Sequence, residues 1–136
     1  MNNAKPKKNE GIPLYASKVA AGFPLPGDDL VERALDLNTL LIENPTATFF
    51  VRAEGDSMIG AGINSGDILI VDRSKAVSNG SIVVAALHGE LIVKRVQKKG
   101  QKTFLVYENE AYAPLHVEGN DDCFVWGVVT SAITQF

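Results

Sequence analysis

One cysteine, two histidines and one tryptophan among 136 residues leave little material for several common kinds of chemistry. With Cys123 alone no intrachain disulfide can form, so a disulfide-stapled scaffold is excluded; the thiol reads as a core residue that suits a reducing compartment. His88, His116 and Cys123 share no metal-ligand spacing, and the chain has no glycine-rich phosphate loop of the Walker type, so no cofactor or metal is expected. Long apolar runs are missing too. None approaches the roughly 20 residues of a membrane helix, and Ile12-Pro13-Leu14-Tyr15-Ala16 is too short and interrupted for a secretory signal. No membrane association is expected, and the expected location is cytoplasmic.

Basic residues are scarce outside the N-terminal segment. Residues 1–21 carry four lysines and one glutamate, net +3, whereas the remainder carries nine basic and fifteen acidic residues, net −6. An acidic body repels phosphates, so strong autonomous DNA binding is not expected and protein partners fit better. The lysine cluster reads first as a solvated terminus.

What is present is ordinary for a globular protein: 46% hydrophobic and 21% charged residues, in a length that suits one domain with an arm. Four prolines within residues 1–28 predict an extended arm and linker. Asp29 followed by Glu32, with Leu30, Ala34 and Leu37 on one approximate face, predicts short helical turns over about 29–43. After Pro45 the pattern turns β-rich, with runs at 48–53, 68–71, 82–87, 91–96, 104–107 and 124–133. Turn signals separate them, including Asn64-Ser65-Gly66-Asp67, Asn79-Gly80 and Lys99-Gly100; His88-Gly89 suits a two-residue hairpin. The predicted fold is mostly β: one antiparallel domain over 29–136, short N-terminal helical turns, and an extended arm over 1–28.

Two residues on that scaffold carry chemistry. Alternation in the run Leu91-Ile92-Val93-Lys94-Arg95-Val96 puts Lys94 on one face with Ile92 and Val96. Burial there disfavours the ammonium, and a base working near neutrality needs a pKa about three units below the usual ~10.4. Ser57 follows Gly55-Asp56, where a glycine-permitted turn can expose a hydroxyl and aim backbone N–H groups at an oxyanion. A neutral lysine can take the serine proton, so no histidine is required. Ala21-Gly22, beside Phe23-Pro24, offers a peptide bond with minimal side-chain bulk in a chain that proline keeps extended. Against this stand ordinary explanations: a serine after Gly-Asp is commonly a turn residue, and a strand lysine commonly reaches to solvent. The acidic pairs Asp28-Asp29, Glu108-Asn109-Glu110 and Asp121-Asp122 read as caps, turns or solvated faces.

The ordered set Gly55-Asp56-Ser57-Met58, Gly66-Asp67-Ile68-Leu69-Ile70-Val71-Asp72 and Gly89-Glu90-Leu91-Ile92-Val93-Lys94 resembles the LexA/UmuD self-cleaving serine peptidases. The runs 35–42 and 44–51 make the chain most similar to the UmuD-like branch, with likeness from about Gly22 through Val129. That resemblance implies a LexA/signal-peptidase-like β domain, Ser57 as nucleophile, Lys94 as general base and Ala21-Gly22 as the scissile bond, here in the form typical of LexA-like members. It further implies a homodimer whose self-cleavage is stimulated by a RecA–single-stranded-DNA filament, and which then serves the catalytic subunit of an error-prone translesion DNA polymerase in the SOS response. With only 21 residues before the bond, a LexA-type DNA-binding domain is not expected. A noncatalytic β-domain that binds or scaffolds, and a fragment of a LexA-like repressor, are the alternatives left by the residues alone. A signal-peptidase relative acting in trans would be expected to show a membrane anchor.

Overall fold

The computed structural model describes residues 11–15, 31–108, 113–118 and 122–136. They fall into two compact units, one ending at Glu43 and one beginning at Asn44. In the first, β1 (Ile12–Tyr15) pairs antiparallel with β2 (Val31–Leu35), with Ile12 opposite Leu35. A short helix, α1 (Leu37–Leu41), follows.

The short helical turns expected over about 29–43 are present at 37–41 and are corrected at 31–35, which form a strand. Glu32 lies within a strand, and the cap that opens the helix is Asp36, whose carboxylate accepts the Asn38 N–H at 3.0 Å. Sequence alone favoured a helix because Leu30, Ala34 and Leu37 are spaced for one. Pairing with β1 supplies backbone hydrogen bonds that so short a helix could not offset, since helix nucleation is costly and short helices are marginal. Asp29 itself lies outside the described residues.

The second unit is a seven-stranded antiparallel sheet: β3 (Thr48–Arg52), β4 (Ile68–Asp72), β5 (Ile82–Leu87), β6 (Glu90–Lys99), β7 (Lys102–Val106), β8 (Leu115–His116) and β9 (Cys123–Ile133). The spatial order is β3-β4-β9-β5-β6-β7-β8. The mostly-β antiparallel reading is therefore right. The six β-runs are all present within a few residues of their expected ends, while the two-residue β8 was not foreseen. The β5–β6 hairpin turns at His88-Gly89, with φ of 51° and 80° and Leu87 opposite Glu90. Positive φ at both central residues is what a type I′ turn demands, and it matches the twist of the strands.

Strand β5 is apolar at every position, Ile82-Val83-Val84-Ala85-Ala86-Leu87, because it sits inside the sheet and is buried on both faces. Val84 joins a core cluster with Ala53, Met58, Ile63, Leu69 and Val71. Its neighbours Val83 and Ala85 join a second cluster with Val96, Leu105, Cys123 and Val128. Cys123 is thus the free, buried core thiol that its sequence context suggested, and burial pushes its pKa up. Strand β9 spans both halves, pairing with β4 and β5 through one bulge on each side. At Gly127 a Cβ would lie 2.8 Å from Val71 Cγ1 and 3.2 Å from Asp72 O, so the close approach of β9 to β4 requires glycine there.

Leu69 and Leu105 are fully buried, one in each cluster. Truncation to alanine at either position should lower unfolding free energy by about 3 kcal/mol, within the usual ~2–5 kcal/mol for a core leucine. Urea titration of the two variants, followed by tryptophan fluorescence, measures this. A loss under ~1 kcal/mol would mean that the site is not packed as described.

Candidate active site

Ser57 is presented by the turn that leaves β3. Ala53 closes onto the loop before β4 through its N–H to Asp67 O at 2.8 Å and its carbonyl to the Gly66 N–H at 2.8 Å. The chain then reverses at Gly55, whose φ of 87° is the left-handed conformation foreseen for a glycine there. Beyond Ser57, the buried Met58 anchors the turn in the first core cluster, and Ile59–Ala61 winds into a 3-10 turn. Gly55 N–H is engaged by Ser65 Oγ at 3.1 Å and Ile59 N–H by Asp56 O at 3.2 Å. Neither of those two donors is therefore available to an oxyanion as the turn stands.

Lys94 arrives from β6, opposite Val83 of β5, and is only 5% exposed. The alternation read from the sequence holds: Ile92 and Val96 pack with the second cluster and Val93 with the first. Lys94 Nζ donates to Ser57 Oγ at 3.0 Å and to the Val93 carbonyl at 2.8 Å. The Tyr107 ring lies against the same amine, 4.1 Å from Nζ to the ring centroid. Burial pushes the Lys94 pKa down from 10.5 to about 8. A separation of 3.0 Å serves proton transfer in either direction. As the ammonium, lysine donates to the serine oxygen; as the amine, it can accept the serine proton.

The pair opens into a cleft of about 360 Å³, lined by the end of β3 and the turn after it (Val51 to Gly55), by Met58, Ile63 and Val84, and by Leu91, Ile92 and Val93 of β6. Ser57 and Lys94 both face it. The histidines take no part: His88 Nδ1 is 3.4 Å from Asp122, and His116 Nε2 is 3.0 Å from Glu118. Ala21 and Gly22, and the Asp28-Asp29 pair, lie outside the described residues. Among the described residues no group of three or more His, Cys, Asp or Glu is arranged to hold a metal ion. None of their helices is long and apolar enough to cross a membrane.

Three contacts at this site went unread in the sequence. Glu108, which the sequence pattern places in a cap, turn or solvated face, pairs its carboxylate with Arg95, while its backbone carbonyl accepts the Gly60 N–H at 2.8 Å. Tyr107 precedes it on the same stretch. A glycine is needed at position 60, where a Cβ would stand 2.6 Å from Glu108 O. No local pattern marks these residues, because their roles depend on β7 lying beside β6.

A family model described as Peptidase S24-like matches residues 13–130 of the chain. The chain belongs to that family. It is similar to Protein SamA of Salmonella typhimurium, with 45% identity over 121 residues covering 89% of this chain and 84% of that protein. Protein ImpA of Escherichia coli is 41% identical over 122 residues, covering 89% and 82%. The LexA repressor of Shewanella piezotolerans is 39% identical over 124 residues, covering 90% of this chain and 59% of the repressor. Within the Peptidase S24-like family the chain is a UmuD-like member of the LexA/UmuD group, as its motifs suggested.

A lysine with a depressed pKa weakens the fold wherever the unfolded chain holds a proton that the folded one holds less tightly. Between the folded pKa of about 8 and the unfolded 10.5, the unfolded state binds more protons, so stability rises with pH across that window. The full span corresponds to roughly 3 kcal/mol. Lys94→Met, which keeps length without the charge, should therefore be more stable than the parent at pH 7 by about 1–3 kcal/mol. The gain should shrink steadily toward pH 10.5. Urea unfolding at several pH values reads both, and a difference independent of pH would refute the buried-ammonium account.

Proposed function

We propose that the protein is a self-cleaving serine peptidase that cuts its own Ala21-Gly22 bond with Ser57 and Lys94. The 3.0 Å contact between Lys94 Nζ and Ser57 Oγ in the lining of a cleft, with the lysine buried, is the observation that carries this reading. Membership in the Peptidase S24-like family supports it.

In the proposed cycle neutral Lys94 removes the Ser57 proton as Oγ attacks the Ala21 carbonyl carbon. The tetrahedral intermediate collapses with rupture of the C–N bond, and the proton on Lys94 passes to the departing Gly22 amine. Residues 1–21 remain as an ester on Ser57. Lys94 then takes a proton from water, the hydroxide attacks the ester, and the proton returns to Ser57 Oγ as the arm leaves with a free carboxylate. One base serves both halves, and water is the only co-reactant.

The UmuD-like membership supports a reading of the biological setting. We infer a homodimeric accessory subunit of an error-prone translesion DNA polymerase, acting in the SOS response to DNA damage, whose cleavage is stimulated by a RecA–single-stranded-DNA filament. Removal of the net +3 segment would leave a net acidic body, a change in charge suited to altering which protein partners bind.

Incubation of the purified chain should release residues 1–21, detected by mass, and the rate should climb about tenfold from pH 7 to pH 9 as a base with a pKa of about 8 loses its proton. Ser57→Ala and Lys94→Ala should abolish release, and the RecA–DNA filament should accelerate it at pH 7. Release at the parent rate by Ser57→Ala would overturn the peptidase reading. Acceleration absent in the parent would remove the SOS assignment alone.

A further inference from the structure

Burial accounts for the reluctance of Lys94 to hold a proton, yet one of the surfaces that buries it has the opposite tendency. The Tyr107 ring presents its centroid 4.1 Å from Lys94 Nζ. An aromatic face carries partial negative charge and attracts a cation, most strongly where water is excluded. The neutral amine gains no comparable attraction. Shielding by the ring therefore favours the amine, and its face favours the ammonium.

The backbone beside the ring is anchored by its successor. Glu108 is tied by its carbonyl to Gly60 on the turn that carries Ser57, and by its carboxylate to Arg95, the residue after Lys94. Arg95 is tied in addition to the Gly80 carbonyl by Nη1 at 2.6 Å. The dipeptide Tyr107-Glu108 thus touches both members of the dyad's framework: the ring meets the base, and the backbone meets the nucleophile's turn. Charged side chains elsewhere around the cleft are Arg52 and Glu54 from the end of β3. The face of β5 opposite Lys94 is apolar, through Val83, and Arg95 is held by Glu108.

We propose that Tyr107 is a positioning residue that restrains the dyad, its ring face holding Lys94 as the ammonium against Ser57 so that the base rests charged until the solution is made alkaline or the ring is displaced. This rests on the peptidase reading for its consequence, though not for its physics. Tyr107 acts through the base it touches and is not itself a catalytic residue.

Two substitutions separate the ring's face from its bulk. Tyr107→Leu keeps apolar cover over Nζ and removes the π face; Tyr107→Phe keeps the face and removes only the hydroxyl. Each is placed in the full-length chain bearing Ser57→Ala, which prevents cutting, and the lysine side chains, carrying ¹³C, are titrated by NMR, with Lys94 assigned by its loss in Lys94→Met. Relative to the Ser57→Ala reference, the Leu variant should titrate about one unit lower and the Phe variant at the reference midpoint. With Ser57 restored, the midpoint of the cleavage rate should move with the titration, so Tyr107→Leu should cut several-fold faster than the parent at about pH 7 and equally fast at about pH 10. A Leu midpoint that is unchanged or raised, or a Phe variant that shifts as far as Leu, would overturn the restraint. If the titrations shift as stated but no chain releases residues 1–21 at any pH, the restraint on Lys94 stands and the peptidase reading fails.

Discussion

A lysine amine kept from water beside a serine hydroxyl is the constraint on which the rest of the site depends. Removing an ammonium from water is costly unless it is paired or sheds its proton. Lys94 meets that cost partly by donating to Ser57 Oγ and to the Val93 carbonyl, and partly by holding its proton less tightly, with a pKa of about 8. The difference matters near neutrality. At pH 7 a lysine of ordinary pKa is neutral in roughly one molecule in several thousand, whereas one at about 8 is neutral in about one in ten. Burial thereby turns a residue that is ordinarily only a charge into a usable base.

Bringing the two residues together is a task for the sheet. Ser57 follows β3, while Lys94 is on β6, and β4, β9 and β5 lie between them in the strand order. Four steps of about 4.8 Å would separate those strands by roughly 19 Å in a flat sheet. The observed contact of 3.0 Å requires the sheet to coil and the turn after β3 to reach across. The bulges between Ile70 and Val71 and between Val84 and Ala85 add local twist where β9 meets its two partners. Gly127 lets β9 approach β4 closely at the same place. Irregularities in the central strands, one of them beside Val84 at the wall of the cleft, thus bear on the distance between Ser57 and Lys94.

Much of this was legible from local chemistry. Alternation placed Lys94 with Ile92 and Val96, Gly55 marked the turn before Ser57, and His88-Gly89 marked a hairpin, because each depends only on neighbours in sequence. The segment 31–35 was not legible. Its apolar spacing suited a helix, and only the pairing with Ile12–Tyr15, brought in from a distant part of the chain, made it a strand. Tyr107 and Glu108 were opaque for the same reason: a tyrosine that ends a β-run and a glutamate beside an asparagine look like a strand end and a turn. Their contacts with Lys94, Arg95 and Gly60 exist only once β7 lies beside β6 and the Ser57 turn folds against both. Contacts within a strand or turn can be read from sequence; contacts that depend on strand order cannot.

The proton on Lys94 is subject to opposing influences. Desolvation by the core drives it off, while the serine oxygen, the Val93 carbonyl and the face of Tyr107 hold it. A shift of one pKa unit corresponds to about 1.36 kcal/mol, the scale of a single modest contact. Ser57 and Lys94 both line the cleft, and a peptide seated in it would exclude water from the pair. On the peptidase reading, docking the arm would therefore both deliver the scissile bond and tilt Lys94 toward the amine. A partner that favours the docked arm would need to contribute only about one or two kcal/mol to raise the active fraction severalfold. Control of that kind requires a base held near its balance point, which neither a solvent-exposed lysine nor one wholly sealed in the core could supply.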